Sequence, residues 1–197
     1  MWLHGFLDWP ATYDAKTALI SLGRAPVRRY LATRLEEAAT GRVLDVGCGT
    51  GRHLADCPGF ACGIDTQLAY LSKARQRSTA SFAAMQAGEL AFRDGTFRFV
   101  FCAGLCHHLP DAAVSRVVRE MKRVAAPGGL VLVIDGVLLS WRNPLGRMLS
   151  HLDRGHHVRD LAVLTNILEA EGLSVACASL PGSYPAARTA FQYEKPV

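Results

Sequence analysis

Apolar and polar positions change their spacing several times along this chain, and each change predicts an element. Before the first glycine-rich stretch the pattern is helical. "ATYDAKTALISLG" stops at Gly23, and "PVRRYLATRLEEAATG" places Pro26 in a first turn and ends at Gly41. From there strands and helices alternate. "RVLDV" is a buried strand, with a helix expected from about Thr50. "FACGID" is a second strand, and "TQLAYLSKARQRS" a helix with Leu68, Leu71 and Ala74 on one face. "SFAAM" and "FRFVFCAG" are the third and fourth strands, the latter rich in aromatic and β-branched residues.

The next segment has the clearest amphipathic pattern. Asp111 occupies an expected N-cap, and Val114, Val117, Val118 and Met121 form a stripe opposite Arg116, Arg119 and Lys122. "PGG" at Pro127 to Gly129 predicts a turn into "LVLVID", an unbroken apolar strand of the kind buried on both faces. After a break at "RNPLG", Asp160 opens a helix with Leu161, Leu164, Ile167 and Leu168 inward and Gly172 as its stop. "LSVACASL" and "ARTAFQYEK" close the chain as two strands, whose short link predicts an antiparallel pair at the sheet's edge. The pattern is that of one α/β domain: a doubly wound, mostly parallel sheet with helices on both faces. It divides into N-terminal helices at 1–41, a core at 42–136, and a closing segment at 137–197.

Composition narrows this picture. At 197 residues, half of them apolar and 20% charged, the chain is globular rather than disordered. A net charge of +5 without a dense Lys/Arg run reads as solvated helix faces, so a nucleic-acid partner is disfavoured. "MWLHGFLDWP" is broken by His4, Gly5, Asp8 and Pro10, and reads as neither a secretory leader nor a membrane span. The six cysteines lack the paired spacing of a metal site; "CAGLCHH" is the one tempting cluster, and its Cys102 falls in a strand. Reduced thiols, a cytoplasmic location and no metal are the expectation.

The chemistry concentrates in "VLDVGCGTGRH". A strand feeding a glycine-rich turn lies at the C-terminal edge of such a sheet, where ligands bind. Gly47 and Gly49 permit close backbone approach, and a following helix would point free N–H groups at an anion. Twenty residues after Asp45, Asp65 ends the second strand, where an acid can accept hydrogen bonds from ribose hydroxyls. A dinucleotide fingerprint would have Gly or Ala at Arg52; here the third glycine, Gly51, comes one residue early. Asp45, two residues before Gly47, would repel a pyrophosphate and attract a cationic sulfonium ligand carrying an amino group. Electrostatics therefore favour such a cofactor over NAD.

"VLDVGCGTG", "GID", "LAFRDGTFRFVFCAGLCHHLPD" and "EMKRVAAPGGLVLVID" together resemble the class I S-adenosylmethionine-dependent methyltransferases, specifically the group with the type 11 methyltransferase domain. The resemblance spans roughly residues 42 to 136. It implies a Rossmann-like seven-stranded sheet in the order 3-2-1-4-5-7-6, the last strand antiparallel, with S-adenosylmethionine (SAM) as cofactor. It implies Asp45 at the methionine amino end, with Gly47, Cys48, Gly49 and Gly51 lining the methionyl and ribose portion. Asp65 would hold the ribose hydroxyls, Thr66 and Gln67 would lie beside the adenine, and Ala103 would end strand four against the cofactor.

Two positions depart from the family pattern. Gln86 stands where the family usually has an acid for the adenine amino group, and its side-chain oxygen can still accept that N–H. Arg98 follows Phe97 where "FD" is usual, with a local electrostatic consequence.

Methyl transfer needs an aligned acceptor, and a hydroxyl acceptor is helped by a base near neutral pKa. His107, with His108 after strand four, is the better candidate; the competing reading makes both structural or cofactor-lining. "HLDRGHHVRD" supplies His156 as a second candidate base, and Arg154, His157 and Arg159 as groups for an anionic substrate; the alternative is a solvated loop. Trp9 and Tyr13 read as core aromatics or as a lid, which would put Tyr13 on the substrate. No N/D-P-P-Y/F segment follows strand four, where amino-methylating enzymes often carry one. The expected function is SAM-dependent O-methylation of a small-molecule acceptor by a monomer or homodimer. The alternatives are an RNA or protein methyltransferase and a non-catalytic SAM-binding partner subunit.

Overall fold

The alternating apolar segments pair into one sheet. The computed structural model describes residues 24–37, 41–55, 57, 59–138, 157–180 and 187–197. Its strands are β1 (Val43–Val46), β2 (Ala61–Asp65), β3 (Ser81–Ala84), β4 (Phe97–Ala103), β5 (Ala125–Leu138), β6 (Arg159–Asp160), β7 (Ser174–Cys177) and β8 (Ala187–Glu194). Its helices are α1 (Arg24–Glu37), α2 (Leu68–Arg77), α3 (Asp111–Val124) and α4 (Leu161–Ala170), with a 3-10 turn at Cys106–His108.

The main path of the sheet runs β3-β2-β1-β4-β5-β8-β7, with β8 antiparallel to both its neighbours. This is the expected order except for one additional element. β4 ends at Ala103, opposite Ile134, while β5 runs on to Leu138. β6 takes the edge left beyond that point, pairing Arg159 with Val137 and Asp160 with Leu138. The described sheet thus has eight strands rather than seven.

Period-two alternation sends each strand's side chains into two separate cores. Leu44, Val46, Val100, Cys102, Val131 and Val133 face one core with Val114, Val118 and Met121 of α3 and Leu164 and Leu168 of α4. Val43, Phe99, Phe101, Leu132 and Ile134 face the other, with Leu31 of α1 and Leu71 and Ala74 of α2. The central strands read as unbroken apolar runs because both of their faces are covered.

Three local expectations are corrected. No helix starts at Thr50: residues 50–54 form successive turns, because Gly51 at φ +71° lies outside right-handed helical space. Asp111 is the first helical residue rather than the N-cap, a place taken by Pro110, and its carboxylate is held by Arg159. "PGG" is absorbed into β5 as an irregularity in its pairing with β4, between Phe97 and Phe99. Arg98 donates to the carbonyl of Gly128 there, and Gly128 N–H donates to Lys195 O at 2.8 Å. The Lys195 ammonium also caps α3, donating to the carbonyls of Lys122, Arg123 and Ala125. The helix expected before Gly23, the "RNPLG" break, Trp9 and Tyr13 lie outside the described residues.

Candidate functional site

The parallel strands bring three acids to one edge of the sheet. Asp45 is the next-to-last residue of β1, Asp65 ends β2, and Asp135 lies in β5 just past the end of β4. Asp45 is 1% exposed, and neither carboxylate oxygen has a hydrogen-bond partner among the described residues. Burial raises its pKa well above the aspartate range, and the nearby Asp65 charge pushes it the same way. An uncompensated buried acid is costly, so this one fits a site completed by a cation.

The glycine loop is folded by that edge. Gly47 and Cys48 both donate N–H groups to Ile64 O, at 2.8 and 2.9 Å. Gly49 N–H donates to Asp65 Oδ2 at 2.9 Å, and Gln67 N–H donates to Asp65 Oδ1 at 2.8 Å. These backbone donors hold the Asp65 carboxylate, so they are not a helix N-terminus open to an anion as the sequence suggested. Each carboxylate oxygen keeps a further lone pair, which suits the hydroxyl pair of a ribose. Cys48 turns its thiol into the core, and the room for it comes from Gly63, where a Cβ would stand 2.8 Å from Cys48 Sγ. Burial raises the Cys48 thiol pKa, aided by Asp45 and Asp65, so it stays neutral.

Gly51 joins this loop to α2 and β3. A Cβ there would lie 2.8 Å from Ala74 Cβ and 3.0 Å from Phe82 Cζ, on a backbone at φ +71°. Gly51→Ala combines left-handed strain with overpacking, together about 3 kcal/mol. Thermal unfolding should show a melting temperature lower by roughly 10 °C.

Beyond β4 the chain turns sharply to build a second group of polar side chains. Gly104 N–H donates to Ile134 O at 2.8 Å, and Leu105 packs where a Gly47 Cβ would be, 3.0 Å from it. The turn is therefore contiguous with the glycine loop. His107 is 7% exposed; its Nδ1 lies 2.5 Å from Asp135 Oδ1, and its N–H donates to Asp135 Oδ2 at 3.2 Å. Burial works against the charge on Asp135, yet the facing His107, the Gly136 N–H and Arg188 hold its pKa below the ordinary value.

Arg159 fastens the same turn from the opposite side. Its guanidinium donates to Cys106 O, Leu109 O and His157 O, and to Asp111 Oδ1 through Nε and Nη2. All these acceptors belong to the protein and the side chain is 7% exposed, which corrects its expected role in holding an anionic substrate. His157 is exposed, and its N–H donates to His107 O at 3.0 Å. Thr66 and Gln67 lie exposed after β2, and Gln86 is exposed beyond the Met85 N–H that donates to Asp65 O. Ala103 ends β4, half-buried. Arg154 and His156 lie outside the described residues. Sequence reasoning passed over Asp135, although "VID" ends an apolar run with an acid just as "GID" does.

Among the described residues no helix is long and apolar enough to cross a membrane. Residues 43–129 match the family model described as a methyltransferase domain. The chain is 36% identical over 149 residues to a 2-methyl-6-phytyl-1,4-hydroquinone methyltransferase of Synechocystis sp., covering 66% of this chain and 46% of that one. It is 36% identical over 110 residues to a chloroplastic tocopherol O-methyltransferase of Arabidopsis thaliana, covering 50% of this chain and 31% of that one. It therefore spans less than half the length of these two relatives. A similar solved structure is the magnesium protoporphyrin IX methyltransferase of Synechocystis PCC 6803 with bound SAH, at TM-score 0.64 and 14% identity, covering 87% of this chain and 84% of that one.

Proposed function

From a chain that carries a class I SAM-dependent methyltransferase domain, we propose an enzyme that methylates a hydroxyl, of the phenolic class, on a small molecule. The observation that carries the acceptor chemistry is His107, a buried imidazole held by an acid beside the glycine loop. Similarity to a hydroquinone methyltransferase supports an acceptor of the phenolic class, and similarity to a tocopherol O-methyltransferase supports oxygen as the acceptor atom.

Bound SAM supplies an electrophilic methyl on a sulfonium that leaves as a neutral thioether. Asp45 would hold its amino end and offset its positive charge, Asp65 the ribose hydroxyls, and Thr66, Gln67 and Gln86 the adenine side. The loop at Gly47 to Gly51 lines the approach. His107 takes the hydroxyl proton at Nε2 as the oxygen forms its new bond to carbon. A phenol resembles tyrosine, with a pKa of about 10, so an imidazole near neutral pKa can serve as base while the bond forms. Alignment of acceptor and methyl supplies the larger part of the acceleration, about 7 to 11 kcal/mol in favourable intramolecular cases.

Calorimetry with SAM, SAH and NAD, followed by transfer from methyl-labelled SAM to matched phenols, amines and thiols, tests this reading. SAH binding and label on phenol oxygen are expected. Binding of NAD alone, or label only on amines, would overturn it.

A further inference from the structure

We infer that Asp135 is a positioning residue for methyl transfer: by accepting the Nδ1 proton of His107 it fixes the ring's tautomer and angle, and makes Nε2 the nitrogen that receives the acceptor's proton. The inference deepens the reading of His107 as the base and rests on it.

The geometry is specific. Asp135 is 1% exposed on a central strand and uses both carboxylate oxygens on one residue, Oδ1 on the ring at 2.5 Å and Oδ2 on the His107 backbone N–H at 3.2 Å. Oδ1 also accepts the Gly136 N–H at 2.6 Å. An ionised carboxylate only accepts, so the shared proton belongs to Nδ1 and the ring's lone pair to Nε2. A core acid without a purpose would be replaced at little cost by an apolar residue, because burying a charge is expensive. Here the charge stays ionised because the imidazole, the Gly136 N–H and Arg188 on β8 compensate it.

The balance of charge follows. When Nε2 takes the hydroxyl proton, the imidazolium forms against a carboxylate already in place, with no solvent reorganisation. Among the described residues, the titratable and charged groups around His107 are Asp135 on β5, and Cys106 and His108 in the same turn, the His108 ring centroid 4.1 Å away. Asp111 at the start of α3 and Arg159 on β6 sit across that turn, His157 donates its backbone N–H to His107 O, and Arg188 acts through Asp135. Asp135 touches the ring at Nδ1 with an opposite charge, so the carboxylate raises the ring's proton affinity.

The test is NMR of the full chain with labelled histidine in the presence of SAH, combined with phenol turnover by Asp135→Asn. The wild-type His107 ring is expected as the Nδ1–H tautomer with a pKa above the ordinary histidine value of about 6.5. Asp135→Asn should lower that pKa by about one unit or more and reduce kcat by about 100-fold, with KM for SAM within about twofold. An Asp135 that matters only for folding would lower kcat without shifting the acidic limb of the kcat–pH profile, whereas loss of a positioned base moves both. Wild-type His107 found as the Nε2–H tautomer overturns the inference even if the variant does not fold. Phenol transfer with an unchanged His107 pKa in Asp135→Asn overturns it alone. A wild-type protein that binds SAH and methylates no hydroxyl overturns the functional reading, whatever the ring's tautomer.

Discussion

Asp45→Asn is expected to weaken SAH binding on the order of 100-fold while stabilising the ligand-free protein. The carboxylate is buried, lacks a partner among the described residues and faces a second acid, Asp65. Its charge is compensated only when a cation arrives. Removing one member of a buried pair costs about 3–5 kcal/mol, and each 1.4 kcal/mol is tenfold in affinity. Asparagine keeps the shape and removes the charge, so the ligand's ammonium loses its counter-ion. In the free protein the same change removes a destabilising charge.

The sign can be checked against pH. Asp45 has a folded pKa above its unfolded value of about 3.9, so its protonated form contributes stability fully below that value and loses it as pH rises toward the folded pKa. Asp135 is shifted the other way; its contribution is present above about 3.9 and disappears as pH falls through the folded pKa. The two windows lie on opposite sides of the ordinary aspartate value. Ligand-free wild type should therefore lose stability relative to Asp45→Asn as pH increases from about 4 toward neutrality. Urea melts of both proteins at several pH values, with calorimetry of SAH binding, measure both effects. Unchanged SAH affinity in the variant would sink the assignment of Asp45 to the ligand's amino end.

Arg159→Met should cost about 3 kcal/mol of stability and reduce phenol turnover far more than SAH affinity. The arginine donates to three backbone carbonyls and to Asp111 from a position 8% exposed. Methionine fills similar volume but donates nothing, which leaves Cys106 O and its neighbours unsatisfied. Asp111 is 67% exposed, so the loss comes chiefly from the carbonyls rather than from the ion pair. Those carbonyls belong to the turn that carries His107, so the base loses its position while Asp45 and Asp65 keep theirs. Arg159→Lys should recover only part of the stability, because an ammonium cannot reproduce the planar fork that reaches several acceptors at once. Thermal unfolding, SAH calorimetry and turnover on the two variants separate these effects. Equal losses of turnover and of SAH affinity would place Arg159 outside the base's support.

Much of the fold was legible because strand and helix periods differ and the central strands are apolar on both faces. "VLDV", "FVFC" and "LVLV" could not sit elsewhere in a sheet covered by helices. Less visible was what happens where polar groups compete for partners. A helix after the glycine loop is a fair expectation from "GTGRHLAD", yet Gly51 takes a left-handed conformation, and Arg77 donates to both Thr50 O and Thr50 Oγ1 at 2.8 Å. Arg159 has the look of a loop cation ready for an anion. Two of its acceptors, Cys106 O and Leu109 O, are carbonyls 53 and 50 residues away in sequence, and no local pattern reports them.

Read alone, the residues determine the layered α/β architecture, the glycine loop at the end of the first strand, and the acids Asp45 and Asp65 that suit a cationic adenosyl cofactor. Those features depend on periodicity and on spacing within one βαβ unit, and such short-range information is written along the chain. Only the tertiary structure decided that Asp45 stands without a partner among the described residues, that the loop's N–H groups hold Asp65, that Arg159 is a clamp, and that Asp135 meets His107. The Arg159 and Asp135 contacts pair groups about fifty and twenty-eight residues apart, chosen by which strand lies beside which. Pairing β4 with β5 brings residues 107 and 135 within hydrogen-bond reach.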